Sequence, residues 1–181
     1  MANQTTQSLP FLLEKKPVEL VKPSKHTPCE ILSLSILDND FLNEVHATIY
    51  VFKANEENRN DPVSLLRKAF SDLLVYYYPL SGKLMRREND QKLQLICRGE
   101  GVPFEVATAS LDLSSLNYIE NLDDQVALQL VPEIEIAYDT NVSYQPLALQ
   151  VTKFACGGFT IGTALTHIVC DGFVWLRSSM L

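Results

Sequence analysis

Six residues toward the end of the sequence have types and spacing that could do chemistry: His167-Ile168-Val169-Cys170-Asp171-Gly172. Histidine is the side chain that can take a proton from an alcohol or thiol near neutral pH without a large pKa shift. In a turn or first helical turn, an aspartate four residues on falls on the same side of the backbone. There it can hold the local geometry, on the imidazole itself or by pairing with a cation elsewhere. Gly172 permits a backbone conformation closed to residues with a Cβ. The pattern also arises by chance, and a histidine beside an apolar strand is more often a satisfied core residue than a catalyst. The elements around it must decide.

The passage leading into the motif, LALQVTKFACGGFTIGTALTH, is apolar and broken at Gly157-Gly158. It predicts two buried strands joined at a tight turn, with His167 at a strand end. Upstream, HATIYVF (His46 to Phe52) is β-branched and aromatic and predicts a central strand. His46 at its start is expected to face solvent or a neighbouring strand, with no catalytic role. Asp61-Pro62 opens the clearest helix, an N-cap acid and proline at the first helical position. Apolar residues follow at Val63, Leu66, Ala69, Phe70, Leu73 and Leu74, with Arg67, Lys68 and Asp72 on the wet face. That helix must end before Pro79.

Around these lie shorter elements. PVELVKPS reads as an edge strand, and LSLSILDND as an alternating stretch that turns at Asp38 to Asp40. His26 reads as a solvated loop residue. A hairpin joins Lys83–Met85 to KLQLICR. Gly99 and Gly101 fall short of a phosphate-cradling fingerprint and read as a turn before a short strand, Phe104 to Ala107. Short helices and loops are expected over 111–131, and PEIEIAYDTNVSYQP reads as an acidic surface excursion. The sum is an α/β domain with a mixed β-sheet and flanking helices.

A chain of 181 residues fits one domain with a sizeable core. With 46% hydrophobic and 20% charged residues it is globular, and its net charge of -7 argues against a nucleic-acid or anionic membrane surface. Neither a membrane span nor a signal peptide is visible, so the expected compartment is the cytoplasm. The four cysteines, Cys29, Cys97, Cys156 and Cys170, form no CxxC pair and suggest neither a disulfide framework nor a zinc site. Cys97 and Cys156 lie in apolar segments and are expected to be buried thiols.

Taken in order, LSLSILDND, the helix leading into VYYYPLSGKL, LICRGEGVPFEVATA, LQVTKFACGGFTIG and HIVCDG resemble the N-terminal half of a plant BAHD acyltransferase. The wording is closest to the benzyl alcohol and taxane acyltransferase branch. The resemblance implies a chloramphenicol-acetyltransferase-like N-terminal domain of a two-domain enzyme, here residues 1–181, with 15–181 its ordered core and 1–14 loose. It implies transfer of an acyl group, other than an aminoacyl group, from a coenzyme A thioester to a hydroxyl or amine of a small specialised metabolite. His167 would be the general base, Asp171 a structural support paired with an arginine, and Gly172 the turn beneath the base. Acyl-CoA would be a co-substrate, with no metal and no permanently bound cofactor. Two departures stand out: the family's DFGWG motif is absent, and FVWLRSSML follows the motif, as in an altered or truncated end. A chain of this kind would expose the apolar face that a second domain covers, a surface prone to association. The alternative function is an inactive homologue acting as a binding or dimerising module.

Overall fold

A computed structural model describes residues 11–34, 45–55, 61–118, 122–139 and 142–169. Six strands form a mixed sheet: β1 (Leu13–Lys15), β2 (Glu19–Val21), β4 (Val45–Phe52), β7 (Val102–Ala109), β8 (Leu147–Phe154) and β9 (Phe159–Thr166). Its order is β1-β7-β8-β9-β4, and β2 also pairs with β7. Among the described residues only β7 and β8 run parallel. Three further strands, β3 (Glu30–Ser33), β6 (Leu93–Cys97) and β5 (Lys83–Arg86), make a small antiparallel sheet in that order. The sheet is mixed as expected, but β4 lies at one end of the strand order, not at its centre. β-branched composition reports a half-buried pleated surface and not a position in the order.

The alternation of β8 and β9 sorts the sheet's two faces. Leu147, Leu149, Val151, Ile161 and Leu165 point toward helix α1 (Pro62–Tyr76) and form the main core with Val63, Leu74, Val102 and Phe104. α1 begins as the sequence dictates: Pro62 stands at its start, and the Asp61 carboxylate accepts from Ser64 N at 3.2 Å and Ser64 Oγ at 2.9 Å. The bond to the Ser64 hydroxyl is the main reason the Asp61 carboxyl is held below the usual carboxylate range. Lys68 and Asp72 pair on the wet face at 3.0 Å, but Arg67 turns back to the sheet. Its guanidinium sits 5.4 Å from the Phe104 ring centroid and 2.5 Å from Glu19, so it caps the core edge by its stem and its charge together.

The opposite face carries Gln150, Thr152, Thr160, Gly162 and Phe154 and is covered by a 3₁₀ turn (Leu113–Leu116) and helix α2 (Asp124–Gln129). Fully buried Gln150 is satisfied: its Nε2 donates to Gln129 O at 2.7 Å and Thr152 Oγ1 at 3.0 Å, and its Oε1 accepts from Lys15 Nζ at 3.0 Å. Gly162 is where this layer comes closest. A Cβ there would stand 1.9 Å from the Leu130 carbonyl oxygen.

Several shorter readings need correction. β7 is eight residues long and internal to the sheet, because the parallel ladder with β8 carries it on to Ala109 and pairing with β2 begins it at Val102. β1 begins at Leu13. The acidic stretch after Pro132 is no mere excursion: Ile134, Ile136 and Ala137 pack on the small sheet's core, and Tyr144 is buried and bridges to Leu84. Charged residues there alternate with apolar ones, and the alternation marks a half-buried face. Cys97 is buried, and desolvation pushes its thiol up to about 11. Cys156 is exposed, because it falls in the tight turn after Phe154, where the side chain leaves the sheet. His26 is exposed in its loop as expected. The turn expected at Asp38 to Asp40 lies outside the described residues.

Two expectations follow from this packing. Asp61→Ala should lower unfolding free energy by about 1 kcal/mol at pH 7, the worth of an N-cap. Because the Asp61 pKa is depressed in the folded state, this difference is fully present above the unfolded value of 3.8. It should shrink as pH falls through the folded value. Guanidinium unfolding of both proteins between pH 7 and pH 2.5 measures it. Gly162→Ala should cost about 3 kcal/mol, since a backbone carbonyl cannot move aside as a side chain can, and thermal unfolding against wild type reads the loss.

Candidate functional site

The site is built by the β8–β9 hairpin. Gly157, at φ +83, makes the turn, with Gly157 N bonded to Phe154 O at 3.0 Å and Phe154 N to Gly158 O at 2.9 Å. From that turn β9 pairs along its length with β8 on one side and β4 on the other. Its last residue, Thr166, is pinned by N–H to Pro146 O at 2.8 Å and by its hydroxyl to the same oxygen at 3.3 Å. The chain then leaves the sheet in a turn over His167, Ile168 and Val169.

His167 is therefore held where the expectation placed it, at the end of a buried strand, and it is half-buried. Ile168 next to it is 4% exposed and enters the small sheet's core with Leu84, Leu93, Leu95, Cys97 and Tyr144. Val169 reaches both cores. The motif's variable positions thus bind the histidine's turn to two packed layers at once. Asp171, Gly172 and Cys170 lie outside the described residues, so of the three site residues expected from sequence only His167 is placed here.

The structure adds a residue that sequence reasoning set aside. The His46 ring lies 5.1 Å from the His167 ring, centroid to centroid, with the planes tilted by 56°. His46 is the second residue of β4, is exposed, and pairs with Leu165 two positions before His167. Nothing in the local sequence reveals this, because the register of two strands more than a hundred residues apart is a tertiary fact. The one available signal was a histidine at the start of a strongly β-forming run.

The α1 face of the sheet is only partly covered. An apolar groove of about 1060 Å³ runs between α1 and β4–β9, lined by Tyr50, Phe52, Leu66, Phe70, Phe104 and Ile161 among others. Tyr50 and Phe52 stand on the same face of β4 as His46, and the Phe52 and Phe159 rings stack at 4.8 Å. An imidazole at a strand end, backed by a second imidazole, can accept a proton from an acceptor group and return it. Among the described residues no helix is long and apolar enough to cross a membrane.

Comparison with known proteins agrees with this architecture. A family model described as the transferase family matches residues 11–176, and the chain belongs to that family, which includes the plant BAHD acyltransferases. It is 79% identical over 174 residues to spermidine coumaroyl-CoA acyltransferase of Arabidopsis thaliana and 54% identical over 171 residues to spermidine sinapoyl-CoA acyltransferase of the same plant. These alignments cover 96% and 92% of the chain but 38% and 37% of the relatives, so the chain spans little more than a third of their length. The benzyl alcohol and taxane branch is also represented, at 33% identity to benzyl alcohol O-benzoyltransferase of Nicotiana tabacum. Among solved structures, vinorine synthase aligns with a TM-score of 0.68 at 28% identity, over 87% of this chain and 38% of that one. The mixed sheet with few helices is thus the chloramphenicol-acetyltransferase-like fold expected from sequence.

Ile168→Ala should test how the histidine's turn is held. Removing this buried side chain should cost about 2–4 kcal/mol of stability, and Ile168→Val about 1 kcal/mol, by guanidinium unfolding.

Proposed function

We propose that this chain carries the general-base part of an acyl-CoA-dependent acyltransferase site whose acceptor is an amine of a polyamine such as spermidine. The observation that carries the reading is the 79% identity to spermidine coumaroyl-CoA acyltransferase over almost the whole chain. In this reading the acceptor nitrogen attacks the thioester carbonyl of a hydroxycinnamoyl-CoA, forming the C–N bond and a tetrahedral oxyanion. His167 takes the proton that the nitrogen loses; the oxyanion collapses, the C–S bond breaks, and coenzyme A leaves as its thiol on receiving a proton. Hydroxyl acceptors follow the same course with an oxygen nucleophile. The acyl group is then of the hydroxycinnamoyl kind, not an aminoacyl group. Acyl-CoA is a co-substrate in this scheme, not a resident cofactor.

A polyamine is a polycation near neutral pH, since its amines have pKa values close to that of lysine, about 10. The net charge of -7 favours its encounter with the protein. The nucleophile is the fraction of that amine already free of its extra proton, and His167 takes the one proton this nitrogen sheds as the C–N bond forms. Asp171 has the part of a structural support paired with a cation, and Gly172 that of a turn former. The cytoplasm, where acyl-CoA is available, is the compartment that fits.

The test is a transfer assay with the purified chain, coumaroyl-CoA, and spermidine beside a panel of alcohols, following free coenzyme A thiol. Release that depends on spermidine and falls by about 100-fold or more in His167→Ala is the expected result. On this reading Asp171→Ala should reduce both rate and stability, because the cation assigned to it would lose its partner. Equal loss of folding in the two variants would remove the base assignment. No release from a chain that circular dichroism shows to be folded would favour the second reading, an inactive homologue that binds or dimerises through the apolar groove.

A further inference from the structure

We propose that His46 is a positioning residue for His167: the β4–β9 ladder brings its imidazole against the His167 ring, and that contact holds the base in the orientation from which it takes the acceptor's proton. The inference rests on the base role of His167 proposed above.

The register supplies the mechanism. His46 stands directly opposite Leu165, and Val45 opposite Thr166, the last residue of β9. His167 is therefore diagonal to His46, two positions on. In antiparallel pairs diagonal residues have Cα atoms about 7–8 Å apart, within reach of aromatic side chains but not of short ones. The rings meet at 5.1 Å with a 56° tilt, in the range of edge-to-face aromatic pairs. β9 ends at Thr166, so the ladder fixes the Cα trace up to His167 but not the ring itself. Ile168 anchors the backbone of the turn from the other side. A ring seated on the neighbouring strand at this distance limits rotation of the imidazole about its side-chain bonds. Because His46 is exposed on a strand paired over eight residues, its ring can be exchanged with little effect on the core.

This predicts that shape, not a second titrating group, is what the position requires. In the transfer assay on the full chain, His46→Ala should lower kcat by about 10- to 100-fold with KM changed by less than about 2-fold, as for a small displacement of a catalytic group. His46→Phe, which keeps a ring and loses both nitrogens, should recover kcat to within about 3-fold of wild type. An independent reading needs no turnover: the rate at which diethyl pyrocarbonate modifies His167, followed on its peptide by mass spectrometry in the folded chain. That rate should rise about 3- to 10-fold in His46→Ala and return in His46→Phe. Equal modification rates in all three proteins would overturn the contact. Rescue by His46→Gln and not by His46→Phe would overturn the positioning role in favour of proton chemistry at His46. If His167→Ala retained transfer, the base reading would be lost, while a modification rate that still followed the ring at position 46 would support the contact by itself.

Discussion

β9 is paired with β4 over all eight of its residues and with β8 from Phe159 to Leu165, and this two-sided pairing is what the rest of the structure depends on. A strand held that way cannot slip by one residue without turning every side chain to the wrong face. Thr163, Ile161 and Leu165 therefore stay toward α1, while Thr160, Gly162 and Thr166 stay toward α2. The point at which the chain leaves the sheet is fixed with them. His167 follows immediately, so the place at which it leaves the sheet is set by the sheet's register.

The two faces enforce that register differently. On the α1 side the constraint is apolar and forgiving, since Val63 and Leu74 are buried while Leu66, Phe70 and Leu73 remain partly open along the groove. On the α2 side it is steric and polar. The Leu130 carbonyl sits over Gly162, and the Gln150 side chain spends its donors on Gln129 and Thr152 and accepts from Lys15. An apolar face can repack around an altered side chain, but a backbone carbonyl over a glycine and a buried amide with several partners tolerate almost no displacement. Precision comes from the face that carries no candidate site residue.

The site joins both sheets. Ile168 belongs to the small sheet's core while Leu165, three residues earlier, belongs to the main one, so the turn carrying His167 spans the junction of two packed units. A change in either unit is thereby felt at the imidazole.

Much of this was legible in the residues. Asp61-Pro62 specified the start of α1, because the cap and the missing proline N–H act within one turn of chain. Gly157-Gly158 between two apolar runs specified the β8–β9 hairpin, because its turn is closed by bonds among five consecutive residues. The order of motifs specified the family, and with it the histidine to examine. What the chain could not show by itself was everything set by long-range pairing. β4 read as central and lies at one end of the strand order, Arg67 read as solvated and lies over Phe104, Cys156 read as buried and points off a turn, and His46, read as facing solvent or a neighbouring strand, does so beside His167. In each case the local sequence fixes what an element is, through forces acting over a few residues. Its neighbours are chosen by ladders and layers that join residues as much as a hundred positions apart, and that choice is made only when the whole sheet closes.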